Sequence, residues 1–243
     1  MWKLNERTPE ASDAGTPSSG PTNGLGRWED ESGSIRFDLR GGQSHFLVSR
    51  QGFPELGLQL DGVETLPLAD EQYVRDGRWY LNYPQTSLAH ALRLQVKPQT
   101  CSFGSLLVVE ICLVLQTDLL DTHPTVDLSI TNVLIDRLTP KDWNLASPIA
   151  PPHRTDALED GCSPVLVAKQ NQSQTAILLD SHDAPFTTDL SDGGDLRIRL
   201  FGEFLEKGVI RKARPWIVFG NASQDELSLL HSQLQATPLP LTA

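Results

Sequence analysis

Leu106-Leu107-Val108-Val109-Glu110-Ile111-Cys112-Leu113-Val114-Leu115 is the longest apolar run of the chain, and Glu110 is its one charged residue. Both alternating faces of the run are apolar and several residues are β-branched, which is typical of a strand covered on both sides. The run is far shorter than the ~20 residues of a membrane-spanning helix. We therefore expect it to form the central strand of a sheet.

Alternating apolar and polar residues predict more strands on either side of this run. Leu92, Leu94 and Val96 alternate with polar residues, so that strand should have one face in water. Farther upstream, Asp76-Gly77 lies between residues 73–75 and 78–80, and Asp-Gly between two strands favours a two-residue hairpin. The other predicted strands are residues 35–39, 44–48, 56–60, 126–130, 165–168, 175–179, 196–200 and 209–219.

A single helix is predicted at the end of the chain. Ser223 followed by Glu226 forms a capping box, in which each side chain satisfies a backbone N–H of the first turn. Leu227, Leu230 and Leu234 then recur at helical spacing and give the helix one apolar face. Many short strands and one C-terminal helix predict an all-β fold, a large antiparallel β-sandwich, with a mutarotase-like supersandwich as the larger variant.

The composition divides the chain into a tail and one domain. Residues 6–24 hold only two aliphatic side chains among many Ser, Thr, Pro and Gly residues. Such a segment buries too little apolar surface to offset its ordering entropy. We therefore predict a disordered polar tail over residues 1–26 and a single β-sandwich domain over residues 27–243. The Pro-rich stretch 147–161 is interpreted as a long surface loop rather than a linker.

The charge balance excludes some classes of function. The 243 residues include 20 basic and 31 acidic side chains, a net charge of -11. General nucleic-acid binding is disfavoured, since it depends on neutralising phosphates with Lys and Arg, and so is broad adhesion to anionic membranes. The chain lacks phosphate-loop, GxSxG and HExxH motifs, and we predict no cofactor. No apolar segment follows the first basic residues, so we expect a cytoplasmic protein.

The three cysteines predict free thiols rather than a disulfide or a metal site. They include no CxxC pair. In a hairpin that turns near residues 103–104, Cys101 would face about Leu106 and Cys112 would face about Gln95, so the two thiols would not meet.

Three acidic or imidazole side chains are candidates for catalysis. Glu110 lies inside a doubly apolar strand, where desolvation would raise the pKa of its carboxyl and suit it to general acid work. The alternatives are a partly solvated strand face and a structural ion pair with a neighbour such as Arg93. His182 and Asp183 belong to the quartet Asp180-Ser181-His182-Asp183, whose side chains could bind a divalent ion, form an acid/base pair or cap a turn.

A basic segment is the candidate binding site. Residues 196–214 carry a local charge of +4, while the rest of the chain carries -15. If the strands of this segment are adjacent, their basic side chains would form one stripe able to hold carboxylates, sulfates or phosphates. The alternative is a solvated face that neutralises the protein's own acids. The predicted ligand-binding residues are Arg197, Arg199, Arg211, Lys212 and Arg214.

Tyr73, Trp79, Tyr80 and Tyr83 form the richest aromatic patch of the chain. Exposed rings there would favour sugar binding. Because alternation sends Trp79 and Tyr80 to opposite faces, at least one of the two should be in the core.

Two stretches, residues 72–77 with 83–86 and residues 201–214, resemble an uncharacterised family of proteins from planctomycete-type bacteria. The resemblance covers residues 30–243 and implies a single domain. It implies no activity, cofactor or catalytic residue.

Two functions therefore stay open. The first is a non-catalytic binding or interaction domain that holds a protein partner or an anionic ligand. The second is a carbohydrate-binding protein or carbohydrate-active enzyme of mutarotase-like fold, which requires Glu110, His182 or Asp183 to converge with an aromatic ring.

Overall fold

A computed structural model describes residues 1–4, 24–31, 33–42, 46–60, 66–85, 90–101, 106–138 and 162–239. These residues form two antiparallel sheets and one C-terminal α-helix. The prediction of an all-β sandwich closed by a C-terminal helix is confirmed. None of the helices in these ranges has the length and apolar content needed to cross a membrane.

The first sheet, sheet A, has the strand order β1-β2-β3-β4-β5-β10-β15-β14. Its strands are β1 (Trp2–Leu4), β2 (Leu25–Asp30), β3 (Gly33–Asp38), β4 (Phe46–Ser49), β5 (Leu56–Leu60), β10 (Thr125–Ile130), β14 (Thr187–Asp189) and β15 (Leu196–Phe201).

The second sheet, sheet B, has the order β11-β12-β13-β17-β9-β8-β7-β6, and β16 also pairs with β9. Its strands are β6 (Glu71–Arg75), β7 (Arg78–Tyr83), β8 (Ala91–Thr100), β9 (Leu107–Gln116), β11 (Leu134–Leu138), β12 (Val165–Gln170), β13 (Ser173–Leu178), β16 (Ile210–Ala213) and β17 (Trp216–Phe219). The helix α1 follows at Gln224–Ala236.

The apolar run quoted first is the centre of sheet B, as predicted. Val109 and Ile111 join the core between the sheets, while Val108 joins a second core under α1. The predicted hairpin register is also confirmed, because Gln95 pairs with Cys112 and the Cys101 thiol contacts the carbonyl of Leu106. The turn at residues 103–104 lies outside the described ranges. All three cysteines are free.

The hairpin between β6 and β7 forms at Asp76-Gly77. Arg75 pairs with Arg78 across it. The φ angles of Asp76 and Gly77 are 51° and 73°, the pair of positive values that a type I′ turn requires. This hairpin fixes which residues of β6 and β7 point away from the core.

Pro215 divides the predicted strand 209–219 into two. β16 and β17 both pair with β9, and the break between them falls at residues 214–215. Proline has no N–H to donate to a ladder, which is why pairing stops there. The interruption leaves Arg214 between two strands and beneath α1.

The helix begins as predicted. The Ser223 hydroxyl accepts from the N–H of Glu226, and the Glu226 carboxylate accepts from the N–H of Ser223. Leu227, Leu230 and Leu234 are buried against the outer face of sheet B. The apolar face of α1 therefore packs on the outer face of β9, β12, β13 and β17.

The tail predicted over residues 1–26 differs from the structure at both ends. Residues 2–4 form β1, which pairs with residues 26–28, and the Trp2 indole donates to the carbonyl of Gly77. Trp2 also packs against Phe37 and Trp79, and this aromatic contact holds the first residues on the domain. Residues 5–23 lie outside the described ranges, as do residues 147–161.

Candidate functional site

A cleft of about 570 Å³ lies where α1 ends over the outer face of sheet B. We call it the helix–sheet cleft. Its sheet side is lined by Arg78, Lys97, Gln99, Cys101, Val108, Glu110 and Trp216, and its helix side by Leu230, Gln233, Ala236, Thr237 and Pro238. A second cleft of about 440 Å³ lies among loop residues near Phe53 and Asn132, and its lining includes one charged residue among the described ones, Glu55.

Strand register brings the polar side chains of the helix–sheet cleft together. Lys97 pairs with Glu110 across β8 and β9, and Trp216 pairs with Glu110 from the other side. Arg78 begins β7, next to the pair Trp79–Val96. Because opposite residues on one face lie about 5 Å apart, four strands deliver a row of two cations, a carboxylate and an indole.

Glu110 forms an ion pair with Arg78. The distance from Oε1 to the Arg78 Nη1 is 2.7 Å, and only 3% of Glu110 is exposed. The predicted partner Arg93 was wrong: Arg93 lies opposite Val114 and donates to the side-chain oxygen of Asn82. The structural interpretation of Glu110 was thus right about the kind of contact and wrong about the residue.

Lys97 and Trp216 are two polar groups of the cleft without a partner among the described residues. The Lys97 ammonium has no ion-pair or hydrogen-bond partner among the residues that the structure describes. The Trp216 Nε1–H is buried and likewise has no acceptor there. Since Arg78 neutralises Glu110, the described lining carries one net positive charge, on Lys97.

Arg214 holds the helix side of the cleft in place. It is 1% exposed, and its guanidinium donates to the backbone carbonyls of Leu234, Thr237 and Pro238. The last turn of α1 has no basic residue of its own. Arg214 therefore supplies the cation that the carbonyl end of a helix favours.

Two aspartates anchor Arg214. The Asp180 carboxylate lies 3.2 Å from the Arg214 guanidinium, and the Asp183 carboxylate accepts the Arg214 backbone N–H at 2.7 Å. Burial raises the pKa of Asp183 to about 7. Burial acts in the same direction on Asp180, but hydrogen bonds from His182 and the charge of Arg214 outweigh it, and the pKa of Asp180 is lowered.

The three predicted catalytic residues do not converge in one cleft. Glu110 lines the helix–sheet cleft beside Trp216, whereas His182 and Asp183 do not line it. The His182 side chain is 82% exposed and bonds to Asp180 through Nδ1. Burial raises the pKa of the Cys112 thiol to about 11, and the nearby carboxylates of Glu110 and Asp183 add to the shift. The quartet thus acts mainly as an anchor for Arg214.

The five predicted ligand-binding residues do not form one stripe. Arg197 and Arg199 lie on β15 of sheet A, whereas Arg211 and Lys212 lie on β16 of sheet B, so the strands are not adjacent. Arg214 is buried under α1. Alternation along one segment cannot show that its two strands enter different sheets.

Arg197 and Arg199 both hold Asp127. The Asp127 side chain is fully buried, and both guanidinium groups donate to it, Arg199 through Nε at 2.8 Å. Burial acts to raise the pKa of Asp127, but the two arginines outweigh it and lower the pKa. Arg211 is exposed and lies 3.9 Å from Glu203.

Sequence reasoning identified Glu110 but missed Arg78, Lys97 and Trp216. The apolar run around Glu110 was the signal that a buried charge needs a partner. Trp216 has no local signal, because its place beside Glu110 depends on a pairing between residues 106 positions apart. Within the described ranges, no three His, Cys, Asp or Glu side chains are grouped so that they could hold a metal ion.

Comparisons with known proteins add little to this picture. No protein-family model matches the chain, and no curated protein sequence matches it. Among solved structures, a polysaccharide lyase matches with a TM-score of 0.35 and 11% sequence identity, over 84% of this chain. This chain spans 31% of the length of that lyase. A likeness of this extent supports no argument about function.

Proposed function

We propose that this protein is a non-catalytic binding protein that holds an anionic ligand in the helix–sheet cleft. The observation that carries the proposal is the Lys97 ammonium, which lies in the cleft and forms no ion pair with a described carboxylate, because Glu110 opposite it is held by Arg78. An ammonium in a partly enclosed site binds an anion more strongly than one in bulk water, because the local dielectric constant is lower.

The neighbouring groups support an anionic ligand with polar substituents. Arg78 keeps Glu110 neutralised at 2.7 Å, so the carboxylate does not oppose the approach of an anion. The Gln99 amide and the Trp216 indole line the same cleft. Amide and indole N–H groups donate to oxygen atoms, and the indole ring also offers an apolar face. A carboxylate, sulfate or phosphate on a small polar molecule fits these groups.

Binding is favoured over catalysis by the content of the cleft. Glycoside hydrolysis generally uses two carboxyl groups, one on either side of the bond that is cleaved. Of the described residues that line the cleft, Glu110 alone carries a carboxyl group, and Arg78 holds it. His182 and Asp183, the other candidates, do not line it. The residues that line the cleft therefore support the binding of a ligand more than proton transfer to or from it.

Calorimetric titration with sulfate, phosphate and a monomeric uronate tests the proposal. Lys97→Met should lower affinity for the anion that binds at least about tenfold, the size of one charge-assisted hydrogen bond. Lys207→Met removes an equal charge from an exposed position outside the cleft and should leave affinity unchanged. Affinity should also fall as salt is added. If Lys97→Met binds every anion as the unaltered protein does, the cleft is not the site.

A further inference from the structure

On the outer face of sheet B, the partly exposed side chains of β7 lead from the helix–sheet cleft to a pair of tyrosines. Tyr80 follows Arg78 by two residues and therefore lies on the same face of β7. Tyr73 pairs with Tyr80 across the hairpin. Trp79 and Tyr83, which alternate with Tyr80, are buried between the sheets. The predicted aromatic patch is thus divided, with two rings in the core and two outside.

The two outer rings form an exposed aromatic surface. Their centroids lie 4.7 Å apart and their planes differ by 11°, so the rings are stacked. Tyr73 is 41% exposed. Neither hydroxyl has a hydrogen-bond partner among the residues that the structure describes. A stacked, partly exposed pair with free hydroxyl groups can contact both the C–H face and the hydroxyl groups of a sugar ring.

Tyr73 is too far from Lys97 to contact the same small group, whereas Tyr80 is a diagonal neighbour of Lys97 across β7 and β8, about 7–8 Å away. Tyr73 is two strands and two residues away from Lys97, which corresponds to about 12 Å between their Cα atoms at ordinary strand spacings. Arg78, which lines the cleft and is held by Glu110, pairs across the hairpin with Arg75. The Arg75 side chain is exposed, and its Nε lies 3.5 Å from the Asp76 carboxylate. Arg75 is therefore a further solvent-exposed cation beside the path from the cleft to the tyrosines.

We propose that the ligand is an acidic oligosaccharide that extends from the helix–sheet cleft across β7 to Tyr73 and Tyr80. The inference rests on the proposed function and adds the class of ligand. An acidic oligosaccharide carries both features of the path, because its rings offer C–H faces for the tyrosines and its carboxylates or sulfates repeat along the chain for Lys97 and the exposed Arg75. An acidic peptide offers the charges without a repeating apolar face, which makes it the less suitable occupant.

The length of the ligand is the variable that tests this inference. Monomers, dimers, tetramers and hexamers of galacturonate, of mannuronate and of a sulfated disaccharide unit are titrated into the full chain, with neutral glucose oligomers as the comparison. We expect affinity to rise at least about tenfold from the monomer to the tetramer of one acidic series, as a second subsite is occupied. Neutral oligomers should not bind measurably.

Variants separate the two parts of the surface. Tyr73→Ala should weaken binding of the tetramer about three- to tenfold, the size of one aromatic contact, and leave the monomer unaffected. Tyr73→Phe should retain most of the affinity if the ring matters more than the hydroxyl. Phe204→Ala, which removes another exposed ring outside the cleft, is the control and should change nothing. Lys97→Met should weaken binding at every length.

Each other outcome has a defined meaning. Acidic monomers that bind with an affinity that neither length nor Tyr73→Ala changes overturn the extended site but leave the proposed function intact. Failure of every anion to bind at the cleft overturns the proposed function itself. Oligoglutamate that binds with the same dependence on length and on Tyr73 replaces the saccharide with an acidic peptide. Equal binding of neutral and acidic oligomers removes the charge argument.

Discussion

Replacement of Arg214 by Met tests the anchor that holds the helix side of the cleft. The substitution keeps an unbranched side chain of similar length but removes every donor. The carbonyls of Leu234, Thr237 and Pro238 then lose their shared partner, and Asp180 loses the guanidinium 3.2 Å away. Arg214 is 1% exposed, so water replaces few of these contacts. The variant should leave a buried carboxylate without its cation.

The expected cost follows from that loss. Breaking a buried ion pair by removing one partner costs about 3–5 kcal/mol, because the remaining charge is uncompensated. For a chain of this size each kcal/mol lowers the melting temperature by about 2–4 °C, so a fall of about 6–20 °C is expected. Urea unfolding followed by tryptophan fluorescence measures the free energy, and amide hydrogen exchange locates the change. Exchange should increase most in the last turn of α1.

Matched variants make the reasoning refutable. Arg214→Lys keeps a charge for Asp180 but lacks the planar fork that spans several carbonyls, so it should recover only part of the loss. Adding Asp180→Asn to Arg214→Met should cost less than the two single changes together, since the stranded charge is gone. Arg211→Met, at an exposed arginine near the same strand, should cost less than about 0.5 kcal/mol. If Arg214→Met is no more destabilising than Arg211→Met, the contacts of the Arg214 guanidinium do not stabilise the fold.

Three further predictions concern other parts of the fold. Asp183→Asn should stabilise the protein by about 2–4 kcal/mol above pH 7 and by nothing below about pH 4. The reason is that a buried carboxyl whose pKa is raised to about 7 destabilises the folded state once it is ionised. A difference in the free energy of unfolding between the two proteins that stays constant from pH 4 to 8 would contradict it. Asp127→Ala should cost about 1–3 kcal/mol, since Arg197 and Arg199 lose their shared carboxylate but keep contact with water; a neutral result in urea unfolding would show that solvent compensates fully. Ser223→Ala should cost about 1 kcal/mol through loss of the cap, and helix exchange rates equal to those of the unaltered protein would count against it.

Local patterns predicted the elements of this fold because each of them is decided within a few residues. The Asp76-Gly77 turn needs two positive φ angles that few other dipeptides adopt, and the capping box at Ser223 needs only its own first turn. The apolar run around Ile111 could be predicted as a buried strand, because a strand with apolar residues on both faces is stable in a sandwich only where both faces are covered. The fold class follows from the sum of such local features.

The prediction of one basic stripe was wrong for a different physical reason. Arg199 and Arg211 belong to strands close in sequence, and neighbouring strands are often paired. Here the chain passes from one sheet to the other between them, with loop contacts at Thr122 and Gly208 along the way. Side-chain alternation is the same in either sheet, so it contains no information about this crossing. The pairing of strands distant in sequence determined which basic side chains lie close together.

The row of polar groups in the cleft could be predicted only in part from the sequence. A register in which Gln95 faces Cys112 also places Lys97 opposite Glu110, because one pair fixes all others between two antiparallel strands, and the structure has both pairs. Glu110 nevertheless bonds to Arg78, whose long side chain reaches from β7 across β8. A seven-residue connection separates β7 from β8. Lys97, the partner that register alone predicts for Glu110, therefore forms no ion pair with it. That remaining ammonium is the charge on which the binding proposal depends, so a carboxylate two residues away on the same face of β8, introduced by Gln99→Glu, should weaken anion binding more than Gln99→Met, which removes only the amide.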